Sequence, residues 1–169
     1  MATEYESQET QTSGWGIFQD GLNAWKAQTF TPTITHYITS VKLYLYKVGS
    51  PTGNVNITIR ATASGLPTGS DLASGTVATA DVGVDYAWYE ASFSASCLLS
   101  ANIKYAVVVN VPGAPNTDNK IVWGNAADVY SGGSYCHSSD GSTWTAQTLY
   151  DFCFQDWGDP AFAPKVWIM

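Results

Sequence analysis

Aromatic side chains placed beside polar ones are the feature of this sequence most able to do chemistry. The 169 residues include 7 Trp, 10 Tyr and 6 Phe, which is more than a core of this size requires. Sugar rings present apolar C–H faces that stack on flat aromatic rings, while sugar hydroxyls need hydrogen-bonding partners nearby. A surface with both kinds of side chain is therefore typical of glycan binding. The candidate ligand-binding residues are Tyr44, Tyr46, Arg60, Trp88, Glu90 and Trp123.

Residues 38–61 contain three of these candidates and alternate strictly between aliphatic and other side chains. Such alternation predicts two β-strands that each bury one face. Pro51 and Gly53 supply the backbone angles of a tight turn between them, so a β-hairpin is predicted. In this hairpin Tyr44, Tyr46 and Arg60 share the outward face. The residues predicted to face the core are Val41, Leu43, Leu45, Val55, Ile57 and Ile59.

Residues 86–94 alternate in the same way, which places Trp88 and Glu90 outward and Phe93 inward. If this strand neighbours the hairpin in one sheet, the outward residues form an aromatic platform with polar flanks. Two alternatives to a glycan platform stay open: cover by loops or N-terminal residues, and a protein–protein contact. Trp123 ends a short strand, where it either joins the platform or caps the core.

Strands of this kind recur along the chain, and no stretch of ten residues shows helical spacing. Residues 103–111 are apolar on both faces, which indicates a central strand. About eight or nine strands predict an all-β chain folded as an antiparallel, jelly-roll-like β-sandwich. Four more residues are predicted to face inward: Val107, Val109, Phe152 and Phe154.

The domain organisation is predicted from the distribution of polar and apolar residues. Residues 1–23 are expected to form a polar arm and an aromatic lead-in, residues 24–158 the β-sandwich, and residues 159–169 a tail or the start of a linker. Within the arm, residues 1–13 are expected to be disordered, with an attachment segment of a larger assembly as the alternative. The first ten residues are acidic and lack the apolar core of a signal peptide. A protein made without such a signal can still be a module of an exported chain or part of a virion.

Residues able to support catalysis are sparse. Glu90 is the only glutamate inside the predicted sandwich, and a glycosidase site needs a second carboxyl group facing the first. The candidate partners, Asp151 and Asp156, lie in no recognisable motif. His36 is predicted to be exposed, and His137 follows a cysteine in a strand, where neighbouring side chains point to opposite faces. The sequence therefore predicts that the protein is not an enzyme.

Metal binding and disulfide bonding each leave two alternatives. Residues 116–119 supply Asn and Asp oxygen atoms of the kind that calcium uses, so a structural calcium is weighed against a simple turn, and no other cofactor is predicted. The three cysteines are an odd number without metal-type spacing. Three free thiols are the preferred interpretation, with Cys97 buried, and a disulfide between Cys136 and Cys153 is the alternative.

Charge and hydropathy exclude two classes of partner. The net charge is −7, and the seven Lys and Arg residues are scattered rather than clustered, whereas nucleic-acid binding needs a basic patch. No apolar run approaches the roughly 20 residues of a transmembrane helix, so membrane insertion is not expected. The expected partner is a polysaccharide or other glycan, and the module is expected to belong to a parent enzyme or to a virion assembly.

Several stretches together resemble a known kind of module. They are QTFTP, SGLPTGSDLASGT, YAWYE, KYAVVVN, YSGGS, SSDGSTW and YDFCF. Over residues 24–158 the chain is similar to β-sandwich modules of the choice-of-anchor type, found in bacterial, archaeal and phage surface proteins, and it resembles jelly-roll carbohydrate-binding modules in layout. The resemblance implies a non-catalytic module in an extracellular or virion-associated setting. Glycan binding is the function it favours, with a structural or adhesive module of a phage virion or cell surface as the alternative.

Overall fold

The computed structural model describes residues 1–161, and these form two antiparallel β-sheets stacked as a sandwich. Within this range helix is limited to a short 3-10 turn at Gly21–Asn23, and no helix is long and apolar enough to cross a membrane. The all-β prediction is confirmed, although the described residues contain thirteen strands rather than eight or nine. In chain order they are β1 (Thr3–Gln8), β2 (Ser13–Ile17), β3 (Trp25–Phe30), β4 (His36–Val48), β5 (Asn54–Ala63), β6 (Leu66–Ala78), β7 (Ala87–Leu99), β8 (Tyr105–Asn110), β9 (Lys120–Ala127), β10 (Tyr135–Ser138), β11 (Thr145–Gln147), β12 (Tyr150–Phe152) and β13 (Phe154–Pro160).

The core lies between a seven-stranded sheet, called sheet A, and a six-stranded sheet, called sheet B. Sheet A has the order β1-β13-β4-β9-β12, with β2 paired to β9 and β7 paired to β4. Sheet B has the order β11-β10-β3-β8-β5-β6, which makes β8 an internal strand, as its apolar sequence predicts. Of the residues predicted to face inward, Phe93 is partly buried against the core. The others are completely buried: Val41, Leu43, Leu45, Val55, Ile57, Ile59, Val107, Val109, Phe152 and Phe154.

The hairpin predicted within residues 38–61 does not form. β4 pairs with β7, β9 and β13 in sheet A, whereas β5 pairs with β6 and β8 in sheet B. The connection between them crosses from one sheet to the other through Gly49 and Gly53, which have φ values of 65° and 74°. Alternation shows that each strand buries one face, and a crossing between sheets satisfies it as well as a hairpin does. The candidate residues on β4 and β5 therefore belong to different sheets.

The polar N-terminal segment is not a disordered arm, so that prediction is wrong. It forms β1, which pairs with β13, and β2, which pairs with β9. Tyr5 stacks on His36 with ring centroids 3.8 Å apart, and the Gln8 side chain donates a hydrogen bond to the Asp151 carbonyl at 3.2 Å. Hydrogen bonds between backbone groups of paired strands, and polar contacts of this kind, do not require alternating apolar side chains. The sequence of this segment therefore carries no pattern that predicts a strand. At the other end β13 runs to Pro160, and residues 162–169 of the predicted tail lie outside the described residues.

Asp140 and Gly141 lie in the loop of a β-hairpin formed by β10 and β11. β10 and β11 pair in antiparallel fashion on either side of residues 139–144. The Asp140 carboxylate accepts hydrogen bonds from the backbone N–H groups of Ser142 and Thr143 at 2.8 and 2.7 Å. These bonds fix the loop, and Trp144 at its end packs on the outer side of sheet B.

Candidate functional site

The outer face of sheet A carries four aromatic rings in mutual contact. Tyr44 and Trp88 lie opposite each other on β4 and β7, with ring centroids 5.1 Å apart. Tyr86 stacks on Tyr44 at 5.1 Å and meets the Tyr46 ring edge-on at 4.6 Å. All four side chains are partly exposed. We call these four residues the aromatic face.

Two glycines beneath the rings bring the aromatic face close to the sheet. Gly14 of β2 pairs with Gly124 of β9; a Cβ on Gly14 would overlap the Tyr86 hydroxyl, and one on Gly124 would lie 3.2 Å from the Tyr44 ring. The Tyr86 hydroxyl donates a long hydrogen bond to the Ser13 carbonyl at 3.5 Å. Burial, followed by the neighbouring Tyr46, raises the pKa of Tyr86 to about 12. Tyr86 is therefore a neutral, fixed member of the surface at physiological pH.

Polar and charged side chains extend the aromatic face along the same sheet. Glu90 lies opposite Lys42 on the neighbouring strands, and its carboxylate accepts a hydrogen bond from the Ser40 hydroxyl at 2.6 Å. The Lys42 ammonium lies 4.2 Å from the centroid of the Trp157 ring, within the range of a cation–π contact. The surface thus combines rings for stacking with exposed groups for hydrogen bonding.

Two residues predicted for the platform lie elsewhere. Trp123 is completely buried; its ring stacks on Phe152 at 4.2 Å and its indole N–H donates to the Cys153 carbonyl at 2.8 Å. The sequence left two places open for Trp123, the platform or the core, and the structure places it in the core. Arg60 is on sheet B, because β5 is in that sheet. The predicted residues that the structure does bring together are Tyr44, Tyr46, Trp88 and Glu90.

Tyr86 is the member of the aromatic face that was not among the residues predicted from the sequence. It directly precedes β7 and lies two residues before Trp88, so the alternation that places Trp88 outward places Tyr86 outward as well. The alternation of side chains in residues 86–94 therefore indicated the outward position of Tyr86. What the pattern does not contain is the contact of Tyr86 with Tyr44 and Tyr46, which depends on the pairing of β7 with β4.

Arg60 lines a cleft of about 850 Å³ on sheet B, which we call the Arg60 cleft. Its Nε donates to the Asp71 carboxylate at 2.7 Å, and its Nη1 donates to the Gly141 carbonyl at 2.7 Å. The guanidinium carbon lies 5.7 Å from the centroid of the Trp25 ring. The arginine is therefore held in place by an acidic side chain, the loop between β10 and β11, and an aromatic ring.

The histidine and the carboxyl groups considered for catalysis make contacts within the fold. His36 is completely buried rather than exposed, since Tyr5 of β1 covers it, and its Nε2 lies 2.9 Å from the Asp156 carboxylate. Burial alone would lower the pKa of His36, but the hydrogen bond to Asp156 and its charge, with the Ile34 carbonyl, outweigh burial and raise that pKa. The Asp151 carboxylate accepts two backbone N–H groups at 2.9 Å each.

The loop considered for calcium is organised as a turn. The Asn116 side-chain oxygen accepts hydrogen bonds from the backbone N–H groups of Asp118 and Asn119 at 3.0 Å each. The Asn119 side-chain oxygen accepts the N–H of Ser50 at 2.9 Å. Within residues 1–161 no three His, Cys, Asp or Glu side chains are grouped so that they could hold a metal ion. A structural calcium bound to this loop stays a prediction.

All three cysteines are free thiols in the structure. Cys136 and Cys153 are completely buried, whereas Cys97, expected to be buried, is partly exposed. Burial raises the pKa of Cys97 to about 11 and those of Cys136 and Cys153 to about 12. Because the thiolate is the nucleophile, none of the three is activated for reaction at neutral pH.

A β-sandwich alone leaves function open, because this architecture hosts many unrelated functions. No protein-family model matches the sequence, and a search of curated proteins gives no match. Function is therefore inferred from the side chains on the outer faces of the two sheets.

Proposed function

We propose that this protein is a non-catalytic, carbohydrate-binding β-sandwich module that uses the aromatic face of sheet A. The observation that supports the proposal is the continuous set of partly exposed rings formed by Tyr44, Tyr46, Tyr86 and Trp88. Flat rings of this kind stack on the apolar faces of sugars. Glu90 beside them is exposed and supplies an acceptor for sugar hydroxyls.

The rings are preorganised, which favours binding. Contacts among the rings, and the close approach of Tyr86 to Gly14, restrict the side chains before a ligand arrives. Little conformational entropy is then lost on association. The ligand is a polysaccharide or other glycan, and the module acts outside the cell or on a virion, attached to a parent enzyme or to an assembly.

The test compares two exposed aromatic residues of the same sheet. Trp88→Ala should weaken glycan binding about fivefold or more, since one stacking contact is worth about 1 kcal/mol. It should leave the thermal melting temperature nearly unchanged. Tyr37→Ala is the matched control, because Tyr37 is exposed on β4 but lies far along the strand from the aromatic face. A glycan array identifies the ligand, and titration calorimetry gives the affinities. Equal affinities for wild type and Trp88→Ala would contradict the proposal.

A structural or adhesive module is the second candidate function, and an exposed apolar patch supports it. Tyr37 and Leu98 lie opposite each other on β4 and β7, and both are exposed. Ile34 and Ile103, 60% and 53% exposed, lie in the adjoining loops, which a hydrogen bond joins between Asn102 N–H and the Pro32 carbonyl. Contiguous exposed apolar side chains are typical of protein contacts. Native mass spectrometry should then show an oligomer that Tyr37→Ala weakens and Trp88→Ala does not.

A further inference from the structure

We propose that the Arg60 cleft is a second ligand site, independent of the aromatic face, and that it binds a neutral, polyhydroxylated chain such as an unbranched oligosaccharide. The cleft lies mainly on the outer face of sheet B, away from the four rings of the aromatic face, and the rest of its lining, including Glu90, comes from β7 of sheet A. It is accompanied by a smaller pocket of about 230 Å³, and Arg60 lines both. A ligand that occupies both compartments passes the Arg60 side chain.

The floor of the cleft is a row of side chains in register across four strands. Trp25 of β3 is opposite Asn110 of β8, which is opposite Asn56 of β5, which is opposite Thr76 of β6. The Asn56 amide donates to the Asn110 side-chain oxygen at 3.3 Å. A second row contains Val108, Thr58 and Ser74. The floor thus offers one large ring and several uncharged hydrogen-bonding groups.

Charge restricts the ligand to a neutral one. The positive charge of Arg60 is paired with Asp71, and Glu90 is the other charged residue among the described residues that line the cleft. A phosphate, sulfate or uronate would therefore meet carboxylates without a free cation to bind it. Hydroxyl groups, which both donate and accept, suit a lining of amides, hydroxyls and a paired ion.

Among the buried side-chain polar atoms that have no hydrogen-bond partner within residues 1–161, two belong to this site. The Thr58 hydroxyl, on the lining of the cleft, and the Trp144 indole N–H, on the lining of the smaller pocket, make no hydrogen bond to the described residues. Only 7% of the Trp144 residue surface is exposed to solvent. A buried donor without a partner is costly, and buried indole N–H groups normally have one. Both residues border the site, so a ligand hydroxyl that reached either atom would give it a hydrogen-bond partner.

The walls of the site are fixed before any ligand binds. The Asp140 carboxylate holds the loop between β10 and β11 through backbone hydrogen bonds, which also keep the pKa of Asp140 below its usual value. Gly141 in this loop has φ 74°, and a Cβ there would lie 2.7 Å from the Trp25 ring. Arg60, Trp25 and the loop therefore hold one another in a single arrangement, as a preorganised site requires.

The experiment follows the tryptophan indole N–H resonances of the whole chain by two-dimensional NMR during titration. The probes are short, neutral cello-, xylo-, manno- and chito-oligosaccharides, with oligogalacturonate as the anionic comparison. Saturable shifts of Trp25 and Trp144 with a neutral probe are the expected result, and Trp88 reports separately on the aromatic face. No shift of Trp25 or Trp144 with any neutral probe, or tighter binding of oligogalacturonate, would overturn the inference.

Two variants locate the binding. Ser74 is exposed on the lining of the cleft, so Ser74→Trp should fill the cleft and abolish these shifts, whereas the matched control Ser96→Trp, at an exposed position on β7, should preserve them. Thr58→Val removes the unpartnered hydroxyl at nearly constant volume. It should preserve or raise the melting temperature and weaken binding by about twofold to tenfold, the value of one hydrogen bond. Wild-type affinity in both Ser74→Trp and Thr58→Val would also overturn it.

Discussion

The outer faces of the two sheets offer opposite chemistry to a ligand. On sheet A the four rings of the aromatic face contact one another, and the Tyr86 hydroxyl donates to a backbone carbonyl, so ring stacking is the interaction proposed for this face. On sheet B the hydroxyl of Thr58 and the indole N–H of Trp144 are buried without partners among residues 1–161, so hydrogen bonding is the interaction proposed for the Arg60 cleft. The two proposals therefore rest on different interactions, ring stacking on sheet A and hydrogen bonding on sheet B.

The two faces also differ in how they are held in place. The aromatic face depends on two adjacent strands, β4 and β7, and on glycines in the strands beside them. The Arg60 cleft depends on a loop that Asp140 fixes and on Arg60, which joins Asp71, Gly141 and Trp25. Single substitutions should therefore disturb the two faces to different extents.

The largest expected effect separates a tryptophan of the core from one of the aromatic face. Trp123→Ala should lower the free energy of unfolding by about 3 to 5 kcal/mol, because it empties a completely buried site and removes the hydrogen bond to the Cys153 carbonyl. Trp88→Ala should cost much less, since Trp88 is partly exposed. Urea denaturation measures both values. Similar losses in the two variants would show that Trp88 is part of the folding core and not a free surface.

The contrast between these two tryptophans also shows what alternation can predict. Period two is a local property, so it correctly places Leu43 and Ile57 in the core and Tyr44 and Trp88 outside. Trp123 lies in β9, where both faces are buried, and no local pattern decides its environment there. Its position depends on the strands and side chains that pack around β9.

The predictions failed mainly on which strands pair, because strand pairing, like the environment of Trp123, is not a local property of the sequence. The alternation of β4 and β5 fits a hairpin and a crossing between sheets equally well, so Arg60 was assigned to the wrong face. The Arg60 cleft has no local signal, because Trp25, Asn110 and Asn56 come together only through the register of distant strands. β1 was missed because its pairing with β13 relies on backbone bonds and not on an apolar period.

An intermediate effect is expected from the loop that closes the Arg60 cleft. Gly141 and Gly53 have the same φ of 74°, but a Cβ on Gly53 would have no atom of the described residues within 4 Å, whereas one on Gly141 would lie 2.7 Å from the Trp25 ring. Gly53→Ala should therefore cost only backbone strain, about 1 kcal/mol. Gly141→Ala should cost about 2 kcal/mol or more, since it adds a steric clash.

Urea denaturation of both glycine variants measures the difference, and the indole N–H resonances of Trp25 and Trp144 show whether the cleft changes. Gly141→Ala should shift both resonances, because the Trp25 ring and the carbonyl bound to Arg60 have to move. Equal stability losses with unchanged resonances would mean that the loop does not hold the cleft in place. Spectra of Gly53→Ala serve as the control, since this glycine lies in the connection between β4 and β5.

The smallest expected effect is a pH dependence that belongs to sheet A. The contact of His36 with Asp156 raises the pKa of His36 in the folded protein. The folded state then holds a proton that the unfolded state releases above its ordinary pKa of about 6.5. The stabilisation is complete below that pH and is lost as the pH rises through the folded pKa of His36. The melting temperature should therefore fall by a few degrees on going from slightly acid to slightly alkaline pH.

Three other groups must be separated from this effect. Glu6 and Glu4 lie near the pair and add negative charge, whereas Lys26, buried in sheet B, has its pKa lowered by burial to about 8. Because the unfolded lysine binds its proton more tightly, the contribution of Lys26 rises with pH, between about 8 and 10.5. The pH range in which the contribution of Lys26 changes lies above the pH at which the stabilisation from His36 begins to be lost.

Asp156→Asn tests the contribution of the His36–Asp156 pair, because it also removes the carboxyl group of Asp156, whose own pKa is raised by burial. The amide keeps a hydrogen-bonding group beside the imidazole but removes the charge that favours its protonated form, so the decrease in melting temperature should disappear. Hydrogen exchange of β1 gives a second measurement, since Tyr5 of that strand stacks on His36. In the wild type, the amides of β1 should exchange faster as the pH rises, after correction for the intrinsic rate, while those of β8 in sheet B should not. A decrease of equal size in Asp156→Asn would assign the pH dependence to groups other than this pair.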